Sequence, residues 1–322
     1  METTSEENTN WKKKAKKSKK KLKEKNREIF VLKEKYDSAQ IMMQMTRDYM
    51  AETQQKLKEQ GDALSTSNKH LTDSIQYASR IQRALFSANT LYRFSFANSF
   101  IFLKPKDVVS GDAPWFYQCK NVSFAAAIDC TGHGVPGAML TVLAISLLNE
   151  IMTTQKYDSP REILLELDQL IHSYLRSGQS SKNKSRDGLD ISLICYNSDT
   201  NEMKFVGVHH KLYLWQNNQL QKIKGSHYNM GDANIECADA IVEHSFKINK
   251  GDRAYLFSDG FPDQFGGADN FKLMVGNFYK LIAKTANFKS IDDQKAEISS
   301  FFNDWKGENV QTDDVLVVGI EF

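Results

Sequence analysis

Residues 107–137 concentrate the groups best suited to chemistry: Asp107-Val-Val-Ser-Gly-Asp112 and Ala127-Ile-Asp129-Cys-Thr-Gly-His-Gly-Val-Pro-Gly137. Asp112 and Asp129 stand at the two ends of a predicted β-hairpin, each where the strand pattern breaks. Gly-His-Gly shortly after Asp129 lets backbone approach whatever the carboxylate holds. Oxygen donors on tight turns suit Mg2+ or Mn2+, whereas zinc favours His and Cys. One Asp beside Gly is ordinarily a turn residue; further carboxylates in the same setting change that reading. Tyr255-Leu-Phe-Ser-Asp259-Gly-Phe-Pro-Asp263-Gln-Phe is another apolar strand ending in Asp-Gly. Thr312-Asp313-Asp314-Val-Leu-Val-Val opens a final strand with two more acids. Carboxylates at four strand ends can converge on one edge of a sheet sandwich.

Taken in order, Ser110-Gly-Asp112, Asp129-Cys-Thr-Gly-His-Gly134, Ser258-Asp-Gly260 and Asp313-Asp314-Val resemble the metal-binding motifs of the SpoIIE/RsbU branch of the metal-dependent protein serine/threonine phosphatases. The resemblance covers about residues 72–322, with Ser74-Ile-Gln-Tyr-Ala-Ser-Arg-Ile-Gln82 in front. It implies a four-layer αββα sandwich and two Mn2+ or Mg2+ ions that activate water, with no covalent enzyme intermediate. Asp129 would bridge both ions, helped by a backbone carbonyl near Gly132. Asp112 and Asp259 would hold one ion each, or its waters, and Asp313 rather than Asp314 would be the final ligand. His133 belongs to a Gly-His-Gly motif that is mainly structural, with proton transfer as its alternative role. His209-His210 falls where the family has a Gly-Ala-Asn-like strand end; it reads as a surface pair, with a substrate-side contact as the alternative. Asp263-Gln264 and Gly266-Gly267 would shape the rim. One departure is Ala113-Pro114-Trp115, where the family has an aromatic pair and Trp. Proline lacks a ladder donor and could shift Asp112.

The elements that must position these groups are legible around them. Strands are predicted over Tyr92–Leu103, Trp115–Cys119 and Val122–Ile128, and helices over Val135–Thr153 and Pro160–Leu175. A polar loop, Ser177–Arg186, precedes a meander of Asp190–Tyr196, Glu202–Val208, Leu212–Gln216 and Gln219–Lys224, with Asn217-Asn218 as a hairpin turn. Strands Ala240–Ile248 and Arg253–Phe257, helices near Asn270–Thr285 and Ile291–Trp305, and strand Asp314–Ile320 complete the chain. Strands and helices in separate runs indicate an α+β domain over 91–322.

Ahead of it, every seventh residue from Leu22 through Ile29, Tyr36, Met43, Met50, Leu57, Leu64, Leu71 and Ala78 to Leu85 is apolar. That spacing predicts a left-handed coiled coil over 22–71. Its companion seam is polar (Asn26, Gln40, Gln54, Asn68), which points to a marginal dimer. A linker helix over 72–90 carries a denser, mainly apolar stripe of Ile75, Ala78, Ile81, Gln82 and Leu85. Residues 12–27 hold eleven of the 42 Lys and Arg against one acid, leaving the rest of the chain at a net charge of −8. Residues 1–21 therefore read as a basic, disordered arm, able to touch an anionic surface weakly but without a nucleic-acid-reading motif. No signal pattern or apolar run of membrane length stands out, and four scattered cysteines indicate neither zinc nor disulfides; a cytoplasmic setting is expected.

These features converge on a metal-dependent phosphatase acting on a phosphoserine or phosphothreonine of a bacterial regulatory protein, with an anti-sigma-factor antagonist suggested by the resemblance. The dimeric coil and linker would control it. A catalytically silent dimeric adaptor, with Pro114 as its marker, is the alternative; a surface or nucleic-acid binder led by the lysine arm is a third.

Overall fold

The structure, a computed structural model, describes residues 3–88, 96–154, 157, 159–176, 188–231 and 239–322. It divides into two units, residues 1–72 and 73–322. In the first, helix α1 (Thr3–Ala88) begins and continues past the boundary. It runs through residues 11–21, where a disordered arm is expected; Lys, Ala and Glu are good helix formers, and no Pro or Gly interrupts them. The heptad residues Leu22, Ile29, Tyr36, Met43, Met50, Leu57, Leu64 and Leu71 are each 60–65% exposed along it.

The second unit is a four-layer sandwich. One sheet has the order β1-β12-β9-β6-β7, from strands Asn98–Lys104, Val315–Glu321, Arg253–Phe257, Leu212–Gln216 and Gln219–Ile223. The other has the order β2-β3-β4-β5-β8, from Asp112–Cys119, Val122–Cys130, Leu189–Asn197, Glu202–Val208 and His244–Lys247. Side chains alternate between two apolar layers, as the two-residue period of a strand requires. From β3, Phe124, Ala126 and Ile128 face helices α2 (Gly134–Thr154) and α3 (Pro160–Arg176), while Ala125 and Ala127 face the opposite sheet. From β12, Leu316, Val318 and Ile320 fill the layer between the sheets, while Val315 and Val317 meet α5 (Met274–Thr285) and α6 (Ile291–Lys306). Among the described residues, α2 alone has the length and hydropathy of a membrane-crossing helix. Its Ile145, Leu148 and Ile151 are buried in the core.

Several expectations change in detail. β2 begins at Asp112 and so contains Pro114, opposite Ala127 on β3. Because β2 is an edge strand, the missing N–H need not break a ladder between two neighbours. Asp112 keeps its register opposite Asp129, so the proline does not displace it. A four-residue helix α4 (Gly260–Asp263) and a small hairpin of β10 (Phe265–Gly266) with β11 (Phe271–Lys272) precede α5, which starts later than expected. β8 is shorter than its apolar sequence suggests. Asn217 and Asn218 both take positive φ, as a two-residue hairpin turn of type I′ demands. The loop expected over 177–186, residues 92–95 of the first expected strand and Cys237 lie outside the described residues.

The last turns of α1 belong to the second unit, and of the expected stripe Gln82 is buried, Ile75, Ala78 and Leu85 are half-buried and Ile81 alone is exposed. Ser79 and Gln82 are buried and Phe86 packs on the core beneath α2 and α3, whereas Ile81 is 48% exposed. Residues 79, 82 and 86 share one helical face by their three- and four-residue spacing. Half-buried Ile75, Ala78 and Leu85 lie along the same side, and the hydrogen bonds of Gln82 fix it there.

Candidate active site

The acidic residues extend the inward-facing rows of the strands beyond the apolar layer between the sheets. Asp112 shares a face of β2 with Phe116, Asp129 shares one of β3 with Ala125 and Ala127, and Ser258 and Asp314 continue those of β9 and β12. Asp112, Asp129 and Asp190 stand opposite one another across β2, β3 and β4. Like charges in directly opposed positions repel at close range. A cation relieves that repulsion.

Hydrogen bonds orient the row. Ser258 Oγ donates to Asp112 Oδ2 at 2.6 Å, and the same oxygen accepts from Leu316 N at 2.9 Å, linking β9, β12 and β2. Asp314 uses both carboxylate oxygens on backbone: Lys106 N donates to Oδ1 and Gly111 N to Oδ2, each at 2.7 Å. Buried and saturated in this way, Asp314 holds the Ser-Gly-Asp loop. Asp313 is exposed beside it, accepting one bond at 2.9 Å from the Asp314 N–H. Asp259 caps α4 without a side-chain capping bond. A Cβ on Gly260 would stand 1.8 Å from the Asp314 carbonyl oxygen, so glycine alone lets these two turns touch. Gly132 has φ +87°, and its carbonyl oxygen packs between Gly111 and Gly137.

Burial, then the charge of Asp129, raises the Asp112 carboxyl well above its ordinary range, against the opposing Ser258 bond. The same two causes push Asp259 up to about 6, with His210 opposing. Its tip is open to solvent, which screens the effect. Burial raises Asp313 and Asp190 as well. Among the described residues no three His, Cys, Asp or Glu side chains are gathered tightly enough to enclose an ion as they stand. The donor chemistry nevertheless fits a divalent cation: hard oxygen ligands whose ionised form is held at a cost that positive charge removes.

The remaining expected residues divide. His133 Nδ1 lies 2.9 Å from Asp107 Oδ2 on the surface, an arrangement that orients the Gly-His-Gly turn. Asp263 pairs with Lys272 Nζ at 2.9 Å. Gln264 is fully buried and bonds Val310 O and Thr312 N, fixing the chain that leads to Asp313. Gly266 and Gly267 pack against Trp305. His209 and His210 are not a surface pair: His210 is 7% exposed, with Nε2 3.5 Å from Asp129 Oδ2. The sequence reading also missed Ser258 as a partner of Asp112, and Asp190. Strand parity could have found both, since each lies on the inward face of its strand. It missed the bond of Gln82 too: the Gln82 amide donates to Ser110 O at 2.6 Å and accepts from Ser110 N at 3.0 Å, two residues before Asp112. No periodic signal marks that contact.

A family model described as stage II sporulation protein E (SpoIIE) matches residues 121–322. The SiaA-PP2C domain of Pseudomonas aeruginosa is 27% identical, with a TM-score of 0.70 over 80% of this chain and 98% of that one. The PP2C phosphatase domain of Bacillus subtilis SpoIIE, solved with a fragment of its regulatory domain, shares the fold at 17% identity and a TM-score of 0.55, over 70% of this chain and 63% of that one. The RsbU and RsbW domains of a Mycobacterium tuberculosis protein share it at 14% identity and a TM-score of 0.55, over 69% of this chain and 59% of that one. No curated protein matches the chain in sequence. With the family match spanning more than half its length and the sandwich around an acidic strand-end cluster, the chain belongs to the SpoIIE/RsbU branch of the PP2C-type protein serine/threonine phosphatases.

Proposed function

We propose that this phosphatase removes phosphate from a phosphoserine or phosphothreonine of a cytoplasmic bacterial regulatory protein, using two Mn2+ or Mg2+ ions. The observation that carries the reading is the row Asp112-Asp129 at the end of the inter-sheet layer, electrostatically coupled to Asp259 and Asp313. When bound, such ions supply a water nucleophile near neutral pH and neutralise the phosphoryl oxygens. Asp129 sits between the other acids and suits a bridging role. Asp112, aimed by Ser258, and the freely ending Asp259 suit one ion each. Asp313 is the preferred fourth carboxylate, because both oxygens of Asp314 already hold backbone. Gly132 contributes through its carbonyl. Pro114 leaves the Asp112 register intact, so it gives the silent-adaptor reading no support.

The exposed heptad row of residues 22–71 supports a parallel homodimer, since an apolar seam of that length is stable in water only when covered. Control then passes through the last turns of α1. Gln82 holds the backbone of Ser110, and Ser110 Oγ accepts from Asp112 N at 3.1 Å, so a shift of that helix reaches the carboxylate row through three hydrogen bonds.

The test is hydrolysis of a small phosphate ester by metal-free chain supplied with Mn2+ or Mg2+. Activity should require the cation and vanish in Asp129→Asn and in Asp259→Asn. Full activity in either variant would remove that residue from the centre. An inactive variant used as bait for phosphorylated proteins identifies the substrate.

A further inference from the structure

Asp168 is a buried carboxylate that the proposed hydrolysis does not use. It lies on α3, 2% exposed, alongside the buried Leu164, Leu167 and Ile171 of the same helix. Both of its oxygens are taken by one connection, the chain between β7 and β8: Tyr228 Oη donates to Oδ2 and Gly231 N to Oδ1, each at 2.5 Å. One helical turn on, His172 Nδ1 donates to Gly231 O at 3.1 Å. α3 therefore grips a single glycine by its N–H and its carbonyl together. Gly231 has φ +97°, a conformation that a side chain would strain. Burying a carboxylate costs more than burying an apolar side chain of its size, so what its bonds hold requires an explanation.

The contacts of that connection reach the carboxylate row. The Met230 carbonyl, one residue before Gly231, packs on Gly188 so closely that a Cβ there would collide with it. Gly188 extends the β3–β4 ladder one step beyond Cys130 and Leu189. Its carbonyl accepts from Thr131 N at 3.0 Å and from Thr131 Oγ1 at 2.8 Å, and its N–H donates to Thr131 Oγ1 at 3.2 Å. Thr131 stands between Asp129 and Gly132. We propose that Asp168 is a positioning residue: through Gly231, Met230 and Gly188 it holds Thr131, and with it the turn that presents the Asp129 carboxylate and the Gly132 carbonyl. This support is separate from that of Gln82, which reaches Asp112 through Ser110 on the other strand of the hairpin. Each carboxylate of the pair has its own brace, from a different helix. The inference rests on the reading of Asp129 and Gly132 as cation ligands.

The experiment uses the full metal-free chain, with amide hydrogen exchange at Thr131 and calorimetric titration by Mn2+ as readouts. Asp168→Asn keeps the shape of the side chain. In it, exchange at Thr131 should quicken at least about tenfold relative to the interior amides of β3, and Mn2+ affinity should fall about tenfold. Tyr228→Phe keeps the Gly231 bond; it should shift both readouts the same way to a smaller extent, and it carries the test if Asp168→Asn does not fold. Ile163→Val trims the same buried helix without touching the clamp, and should lower the thermal midpoint while leaving both readouts as in wild type. Wild-type exchange at Thr131 in Asp168→Asn would overturn the clamp. Wild-type Mn2+ affinity there, in a chain whose Asp129→Asn variant loses it, would overturn the positioning role and leave Asp168 a core group. Quickened exchange beside an Asp129→Asn variant that binds Mn2+ as tightly as wild type would uphold the clamp and defeat the ligand reading instead.

Discussion

Residues 1–72 and 73–322 treat apolar surface in opposite ways. In the second unit, strand alternation sends apolar side chains into three layers, and the chain buries its own core. In the first, an apolar residue recurs every seventh position along a single helix and remains in water. Period two in paired strands is satisfied within one chain, because the sheet supplies neighbours on both faces. A seven-residue period on one helix needs a second helix. Chemistry and association should therefore be separable along the chain.

The largest effect should come from the self-buried unit. Asp129→Asn should lower hydrolysis by about a hundredfold or more, with helicity and self-association of the full chain unchanged. Kinetics paired with sedimentation would check this, and a change in association would join the two regions. The complementary change is Leu57→Asp with Leu64→Asp. Charge in the seam should weaken self-association at least about tenfold, while residues 73–322 keep their Mn2+ affinity.

The junction sharpens the contrast. Gln82→Ala removes two buried hydrogen bonds and should destabilise the second unit by about 1–3 kcal/mol and raise the Mn2+ concentration for half-activation severalfold. Ile81→Ser should do neither, because that side chain is exposed. Denaturation and metal titration of the two variants separate the hydrogen-bonded contact from the exposed apolar position; equal effects would bring Ile81 into the docking face.

A smaller effect is pH dependence. Asp259 has a folded-state value of about 6, above its unfolded value, so the metal-free fold prefers it protonated. Its destabilising contribution is full above about pH 6 and is relieved as pH falls towards the unfolded value. Added Mn2+ should therefore raise the thermal midpoint of residues 73–322 more at pH 7.5 than at pH 5, with no such difference for residues 1–72. Asp259→Asn should remove much of it. The smallest change should come from Pro114→Ala, with metal titration curves coinciding with wild type; a clear shift would show that the edge proline does bear on Asp112.

Much of the second unit was legible because burial writes its period into sequence: Glu202–Val208, Leu212–Gln216 and Arg253–Phe257 are strands from end to end as read. The four acidic motifs were legible because each stands at an end of a strand, three of them beside glycine. Less legible were features whose cause lies elsewhere in the chain. Gly260–Asp263 forms a helix too short to show a period, and the start of α5 is set by the β10–β11 hairpin.

The sequence alone determined the alternating strands and the heptad row, since each follows from a repeating spacing of residue types, and its ordered acidic motifs marked the candidate site. Tertiary structure alone decided which partner each polar group meets. Asp313 and Asp314 are chemically identical neighbours, yet backbone donors from Lys106 and Gly111 take both oxygens of one and neither of the other. Gln82 outranks Ile81 at the docked face because Ser110 offers it a donor and an acceptor. His210 reaches Asp129 because one left-handed residue at His209 undoes the alternation of β5. Hydrogen bonds and kinks are local in space and not in sequence, so no spacing records them.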